Sequence, residues 1–182
     1  MKLRKYIVLS LLITFSGGYI QAANSDTADG KEKVVSAEQE NFNEFLEKFT
    51  SSAAFQYSRV KFPLKSPIVL FNDETEDERE IDFSHEKWPL LGPEIFKEER
   101  ITLEEGGTYI SGYVVNDAEY KEFEAGYEES EIDLRITFEL IEGEWYVTDC
   151  YTSWYADLPE SELEQTVLLV QEDNKPFLES YP

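Results

Sequence analysis

The residues able to do chemistry are few and widely separated. The chain has one histidine, His85, and one cysteine, Cys150, so a Ser-His-Asp or Cys-His arrangement would have to recruit one of them. His85 stands between Ser84 and Glu86-Lys87 in a polar stretch and reads as a surface loop residue. Cys150 lies inside the run WYVTDCYTSWY with no glycine-rich turn to expose it, so it reads as a small buried strand residue. A single cysteine permits no internal disulfide. One His and one Cys do not make an ordinary zinc site. A nucleophile elbow, a phosphate loop and a dinucleotide fingerprint are all missing from the sequence, so no cofactor and no metal are expected.

Carboxylates are abundant, and one stands out. If strand alternation holds, Asp149 shares a face with Trp145, Val147 and Tyr151. A carboxylic acid against aromatic walls favours its neutral form, which suits a general acid or base. The alternative is a structural role, as a partner of Arg135 or a strand-end hydrogen-bond acceptor. Tyr109, Tyr113, Arg135, Asp149 and Tyr151 are the candidate ligand-binding residues, and none is assigned a catalytic role. The acidic run Asn72–Glu80 lacks the glycine and the alternating oxygen ligands of a calcium loop, and reads as a solvated hairpin loop.

Positioning these residues falls to a helical N-terminal part and a sheet. Ser36 with Gln39 forms a capping box, and Phe42, Phe45, Leu46 and Phe49 follow at helical spacing. That stripe reads as core rather than as a partner-binding face. A second helical turn is predicted over 52–57. Strand-like pieces follow at 68–71 and 80–83, then irregular or briefly helical stretches over 84–91 and 93–99. Three longer strands are predicted: Thr108 to Val115, Ile132 to Leu140 and Trp145 to Tyr155. The second alternates strictly over nine residues, and Ile141-Glu142-Gly143-Glu144 forms a tight hairpin to the third. A C-terminal helix is predicted from Glu160 to Gln171, with an edge strand at 167–170 as the alternative. The class is α+β, with helices on a curved, mostly antiparallel sheet.

At the N-terminus, Lys2, Arg4 and Lys5 precede the apolar run IVLSLLITF and the pair Gly17-Gly18, with small residues at Ala22 and Ala23. This is the pattern of a cleavable secretory signal over 1–22, followed by a flexible lead-in over 23–35 and one domain over 36–182. A spanning helix needs roughly 20 apolar residues, about twice what is present. With the only cysteine at 150, the mature N-terminus has no lipid-acceptor thiol, so a soluble periplasmic or secreted protein is expected rather than an anchored one.

The segment 1–22 holds three of the 16 basic residues and none of the 39 acidic ones, leaving a formal charge of −26 on the remainder. Such a surface repels phosphates, so nucleic acid is not an expected partner. Aromatic residues make up 14% of the chain, which is ample for a packed core and unlike an acidic disordered chain.

Two stretches, FNEFLEKF at 42–49 and FQYSRVKFPL at 55–64, resemble the opening of small exported Bacteroidota proteins of the family called domain of unknown function 4348. That family resembles the nuclear transport factor 2 fold. The resemblance implies a cone: a curved antiparallel sheet wrapped round N-terminal helices, with a pocket at its wide end. Hosts of that fold include isomerases, dehydratases, ligand binders and interaction modules, so fold alone does not assign function.

The expected function is an exported soluble binding or interaction module of the cell envelope. Its partner would be a small molecule or an envelope protein, with a homodimer through the open sheet face as a further option. The alternative is a small pocket enzyme of isomerase or hydrolase type that uses a carboxylate in the cone.

Overall fold

A computed structural model describes residues 39–102, 107–128, 130 and 132–181. The export signal, the lead-in and Ser36 lie outside the described residues. The first helix, α1, runs Phe42–Phe49 and α2 runs Ala53–Ser58. Strands β1 (Ile68–Phe71) and β2 (Glu78–Ile81) follow, then short 3-10 turns at His85–Lys87 and Pro93–Phe96. Five further strands are β3 (Glu99–Thr102), β4 (Thr108–Asn116), β5 (Tyr120–Tyr127), β6 (Ile132–Ile141) and β7 (Glu144–Thr152). A two-residue β8 (Leu158–Pro159) precedes the long helix α3, Leu163–Ser180. The domain is α+β.

The helical entry starts later than the capping box suggests. Asn41, not Ser36, caps α1: its side-chain oxygen accepts from the Asn43 and Glu44 amides at 2.9 and 3.2 Å. The preceding residue is held out of helix by the hairpin: the Glu40 amide donates to the Gly143 carbonyl at 2.8 Å. The Glu40 carbonyl accepts from the Trp145 indole at 3.0 Å. The Glu40 carboxylate takes the Trp145 amide and both terminal nitrogens of Arg59.

Strands β3-β4-β5-β6-β7 form an antiparallel sheet in chain order, and β2-β1-β8 a smaller one in which β1 and β8 run parallel. Bulges interrupt the β4/β5, β5/β6 and β6/β7 registers, and each bends and twists the strand that carries it. The β6–β7 hairpin turns through Glu142 and Gly143, both at positive φ as a type I′ turn requires. The outer edge of β7 is covered. Val147 N donates to Arg59 O, Lys61 N to Val147 O and Lys65 N to Thr148 O, all within 3.1 Å.

The aromatic stripe of α1 packs on one face of this sheet, its inner face. Phe42, Phe45 and Phe49 meet Phe138 edge-on at centroid distances of 5.3, 5.9 and 6.1 Å, and Phe42 meets Trp145 at 4.9 Å. These are favourable aromatic geometries. They make the stripe core, as the sequence suggests.

Strand β5 is central, yet its sequence YKEFEAGY carries little apolar alternation and is absent from the sequence reading. Other differences are smaller: β3 is a strand where irregular chain was expected, and the strand predicted over Trp145 to Tyr155 ends at Thr152 in a 3-10 turn. The second strand of the small sheet begins at Glu78, and α3 runs nine residues beyond Gln171, so 167–170 is helix. Among the described residues, no helix is long and apolar enough to cross a membrane.

Candidate functional site

The pairing of the large sheet sets out its inner face row by row. Tyr113, Phe123, Ile136 and Cys150 form one row across β4–β7. The next row toward the start of β4 is Ser111, Ala125, Leu134 and Thr152. In the first row Tyr113 meets Phe42 of α1 and Phe123 meets Phe96, so the space above it is filled. Three of the four side chains in the second row are small, so the sheet is left hollow there. A cleft of about 270 Å³ lies over that row, walled by Leu90, Leu91, Ile95, Tyr109 and Trp154.

The wall at 88–91 is irregular backbone, and two buried amide side chains hold it. Gln56 of α2 is fully buried: its oxygen accepts from the Trp88 indole at 2.9 Å and the Leu91 amide at 2.8 Å. Its nitrogen donates to the carbonyls of Phe49 at 2.7 Å and Leu91 at 3.1 Å. Asn174 of α3 accepts from Leu90 N at 2.6 Å and donates to Trp88 O at 2.9 Å. A segment containing Pro89 can form no regular ladder, so side chains satisfy its polar groups instead. Nothing local in the sequence marks Gln56 or Asn174 for this role. A buried amide on an otherwise apolar helix face is the only signal they offer.

Electrostatically the cleft is one-sided. Glu94, Glu99, Asp133 and Asp173 stand at its rim, and no Lys, Arg or His is among its lining residues. Lys97, which follows in chain, is ion-paired to Glu94. Burial pushes the Tyr109 phenol above its ordinary range, with the Asp133 carboxylate and Tyr127 adding to the shift. Ser111 Oγ is already committed, donating to Lys97 O at 2.6 Å and accepting from Glu99 N at 3.2 Å. Among the described residues, no three His, Cys, Asp or Glu side chains converge as metal ligands would.

Of the five residues singled out from sequence, only Tyr109 lines this cleft. Tyr113 lies on the same face but in its filled part, edge-on to Phe42 at 5.8 Å and Phe123 at 5.2 Å. Its hydroxyl is buried without a hydrogen-bond partner among the described residues, and burial pushes the phenol far up. Arg135 is on the outer face, paired with Glu124 at 2.6 Å and Glu122 at 3.5 Å. Tyr151 lines a second cleft of about 560 Å³ between the end of β7 and β1. That larger cleft is walled mainly by Phe71, Phe83, Tyr155 and neighbouring aliphatic residues, with fewer polar groups converging on it.

The placement of Asp149 needs correction. A bulge in β7 opposite Thr137 and Phe138 inserts Thr148, so the alternation changes phase: Trp145 and Val147 face inward, then Cys150 and Thr152. Asp149 is thereby turned to the outer face, away from Trp145 and Val147. Its carboxylate accepts from Ser66 N at 3.0 Å, Ser66 Oγ at 2.8 Å and Cys150 N at 2.9 Å. It clamps the 59–66 segment to β7 and is not ion-paired to Arg135, whose partners are Glu122 and Glu124. Cys150 is buried, and its thiol is pushed far above the ordinary range by burial and then by Asp149. His85 is exposed and stacks on Tyr57 with 3.5 Å between ring centroids.

The comparisons agree with this architecture. A family model described only as "-like" matches residues 40–178. A crystal structure of a cystatin-like protein from Bacteroides caccae superposes with a TM-score of 0.77 at 57% identity, covering 80% of this chain and 98% of that one. Solution structures of proteins from Bacteroides uniformis and Bacteroides ovatus give TM-scores of 0.75 at 60% and 56% identity. They cover 80% and 84% of this chain, and 99% and 100% of theirs. No curated protein matches significantly. The chain belongs to this family of Bacteroides α+β proteins.

Proposed function

We propose that this protein is an exported, soluble binding module of the cell envelope, and that its ligand enters the cleft over Ser111, Ala125, Leu134 and Thr152. The observation that carries the reading is the hollow row itself: small side chains on β4, β5 and β7 with Leu134 between them on β6, beside a row holding Tyr113, Phe123 and Ile136 and under a wall pinned by two buried amides. A chain selected only for stability gains by filling such a space. The reading places the chain in a nuclear transport factor 2-like cone and in the family called domain of unknown function 4348, supported by α1 packed on one face of the large sheet and by the cleft over that same face. Export rests on the basic, apolar and small-residue order of residues 1–22.

Binding is favoured over catalysis because the cleft lining contains no His or Cys, and Ser111 is engaged by backbone. The pocket-enzyme alternative relied on Asp149, which is an outer-face clamp. A dimer through the open sheet face called for an apolar patch, whereas Glu122, Glu124, Arg135 and Glu139 occupy that face on β5 and β6. The test is a metabolite and glycan panel read by thermal shift, with hits mapped by amide NMR. A ligand that raises Tm and shifts Ala125 and Leu134 supports the reading. Hits that map only elsewhere would sink it.

A further inference from the structure

We infer that the cleft takes an organic cation, an alkylammonium group with its carbon chain on the sheet floor; this rests on the binding reading above. Three features of the cleft specify that chemistry together. Its floor and walls offer Ala125, Leu134, Leu90 and Ile95 to an alkyl chain. Trp154 and Tyr109 supply aromatic faces, which attract cations through the ring quadrupole. Carboxylates from three parts of the chain, Glu94 and Glu99, then Asp133, then Asp173, ring the mouth without a basic side chain in the lining, although Glu94 is already paired with Lys97. An anionic ligand would meet repulsion from Glu99, Asp133 and Asp173, and a neutral one would leave the charged rim without use.

The fold already satisfies a cation of its own with the same set of partners. Arg59 lies over Phe55 at 4.9 Å and Tyr146 at 5.1 Å, and pairs with Glu40 at 3.2 Å and Glu144 at 3.1 Å. Aromatic faces with two carboxylates are thus a working cation site in this chain. The high negative charge of the chain adds a long-range attraction that raises the local concentration of cations at the mouth. An alkylammonium group can come from a free amine or from a lysine side chain of another protein.

The test is amide NMR titration of the purified protein with cadaverine, and with glutarate and 1,5-pentanediol as anionic and neutral probes of the same carbon count. Nα-acetyl-lysine methylamide serves as the side-chain source. Cadaverine or the lysine amide should shift Ala125, Leu134 and Thr152 and change Trp154 emission, while glutarate and pentanediol should not. The tighter of the two amines identifies the source. Glu99 and Asp173 are exposed, so the double variant Glu99→Gln with Asp173→Asn should fold normally and bind the amine about fivefold more weakly, as two partly screened ion pairs predict. Equal binding of pentanediol or glutarate at those amides would overturn the cation assignment and leave the binding reading standing. Unchanged affinity in the double variant would also overturn it, as would no amine shift at any cleft amide in a protein whose cleft responds to another panel member.

Discussion

Replacing Gln56 with methionine keeps its length and nearly its volume while removing every hydrogen bond its side chain makes. Two buried donors, the Trp88 indole and the Leu91 amide, then lose their acceptor, and the Phe49 and Leu91 carbonyls each lose a donor. A buried group left unsatisfied costs about 1–3 kcal/mol. The two donors set the scale, because carbonyls tolerate partial satisfaction better. Burying a thioether where an amide stood returns part of the loss, so the net destabilisation should be about 3 kcal/mol. In a chain of this length that lowers Tm by about 6–12 °C. Total stability is typically about 5–15 kcal/mol, so the variant should still fold.

Urea unfolding followed by tryptophan fluorescence gives the number, and amide shifts at 90 and 91 show whether the wall has moved. Gln56→Glu separates hydrogen bonding from volume. Its carboxylate still accepts from Trp88 and Leu91 but opposes two carbonyl oxygens, so it should be the worse variant at neutral pH and recover partly in acid. A Gln56→Met protein within about 0.5 kcal/mol of the parent, the ordinary range for inconsequential substitutions, would refute the claim that this amide organises the cleft wall.

Three further outcomes are expected. Asn41→Ala removes the side-chain cap of α1 and should cost about 1 kcal/mol by chemical denaturation. A cost equal to zero, together with a loss of that size in Ser36→Ala, would move the helix start back to the capping box. Asp149→Ala strips the acceptor from Ser66 and Cys150 and should cost about 1–2 kcal/mol while leaving ligand affinity at the cleft unchanged, which calorimetry can check. At high pH, Tyr113, Tyr155 and Cys150 all hold their protons above their ordinary ranges because of burial. The unfolded chain releases those protons first, so it binds fewer of them and stability falls as pH rises. That contribution is intact below the unfolded values, about 8.5 for the thiol and about 10 for the phenols. Absorbance at 295 nm should show two tyrosines ionising only with loss of near-UV dichroism. Their ionisation in a native spectrum would contradict the burial argument.

Much of the fold was legible where the signal is local. The stripe at Phe42, Phe45 and Phe49, the nine-residue alternation of β6 and the Glu142-Gly143 turn each follow from the period of side chains along one element, and all appear in the structure. Strand β5 was illegible because its residues are chosen for their neighbours. Ala125 lies on the cleft floor, and Glu122 and Glu124 pair with Arg135 across from them on β6, relations that the period of β5 alone does not carry. The start of α1 could not be read because Ser36 and Asn41 both carry capping chemistry. A distant hairpin decides between them by holding Glu40 extended.

By itself, then, the amino-acid sequence determined the α+β class, the aromatic core, the burial of Cys150 and the scarcity of nucleophile chemistry. These depend on composition and on periodicity within one element. Tertiary structure alone decided which way Asp149 points, because one inserted residue in β7 reverses the phase of everything after it. It alone decided that Ser111, Ala125, Leu134 and Thr152 form a single row, because register between strands is a property of pairs. The roles of Gln56 and Asn174 likewise needed the fold, since Trp88 and Leu91 lie 32 and 35 residues from Gln56, and Leu90 and Trp88 lie 84 and 86 residues from Asn174. The cleft is made of those long-range relations, and a single chain read in order carries them only implicitly.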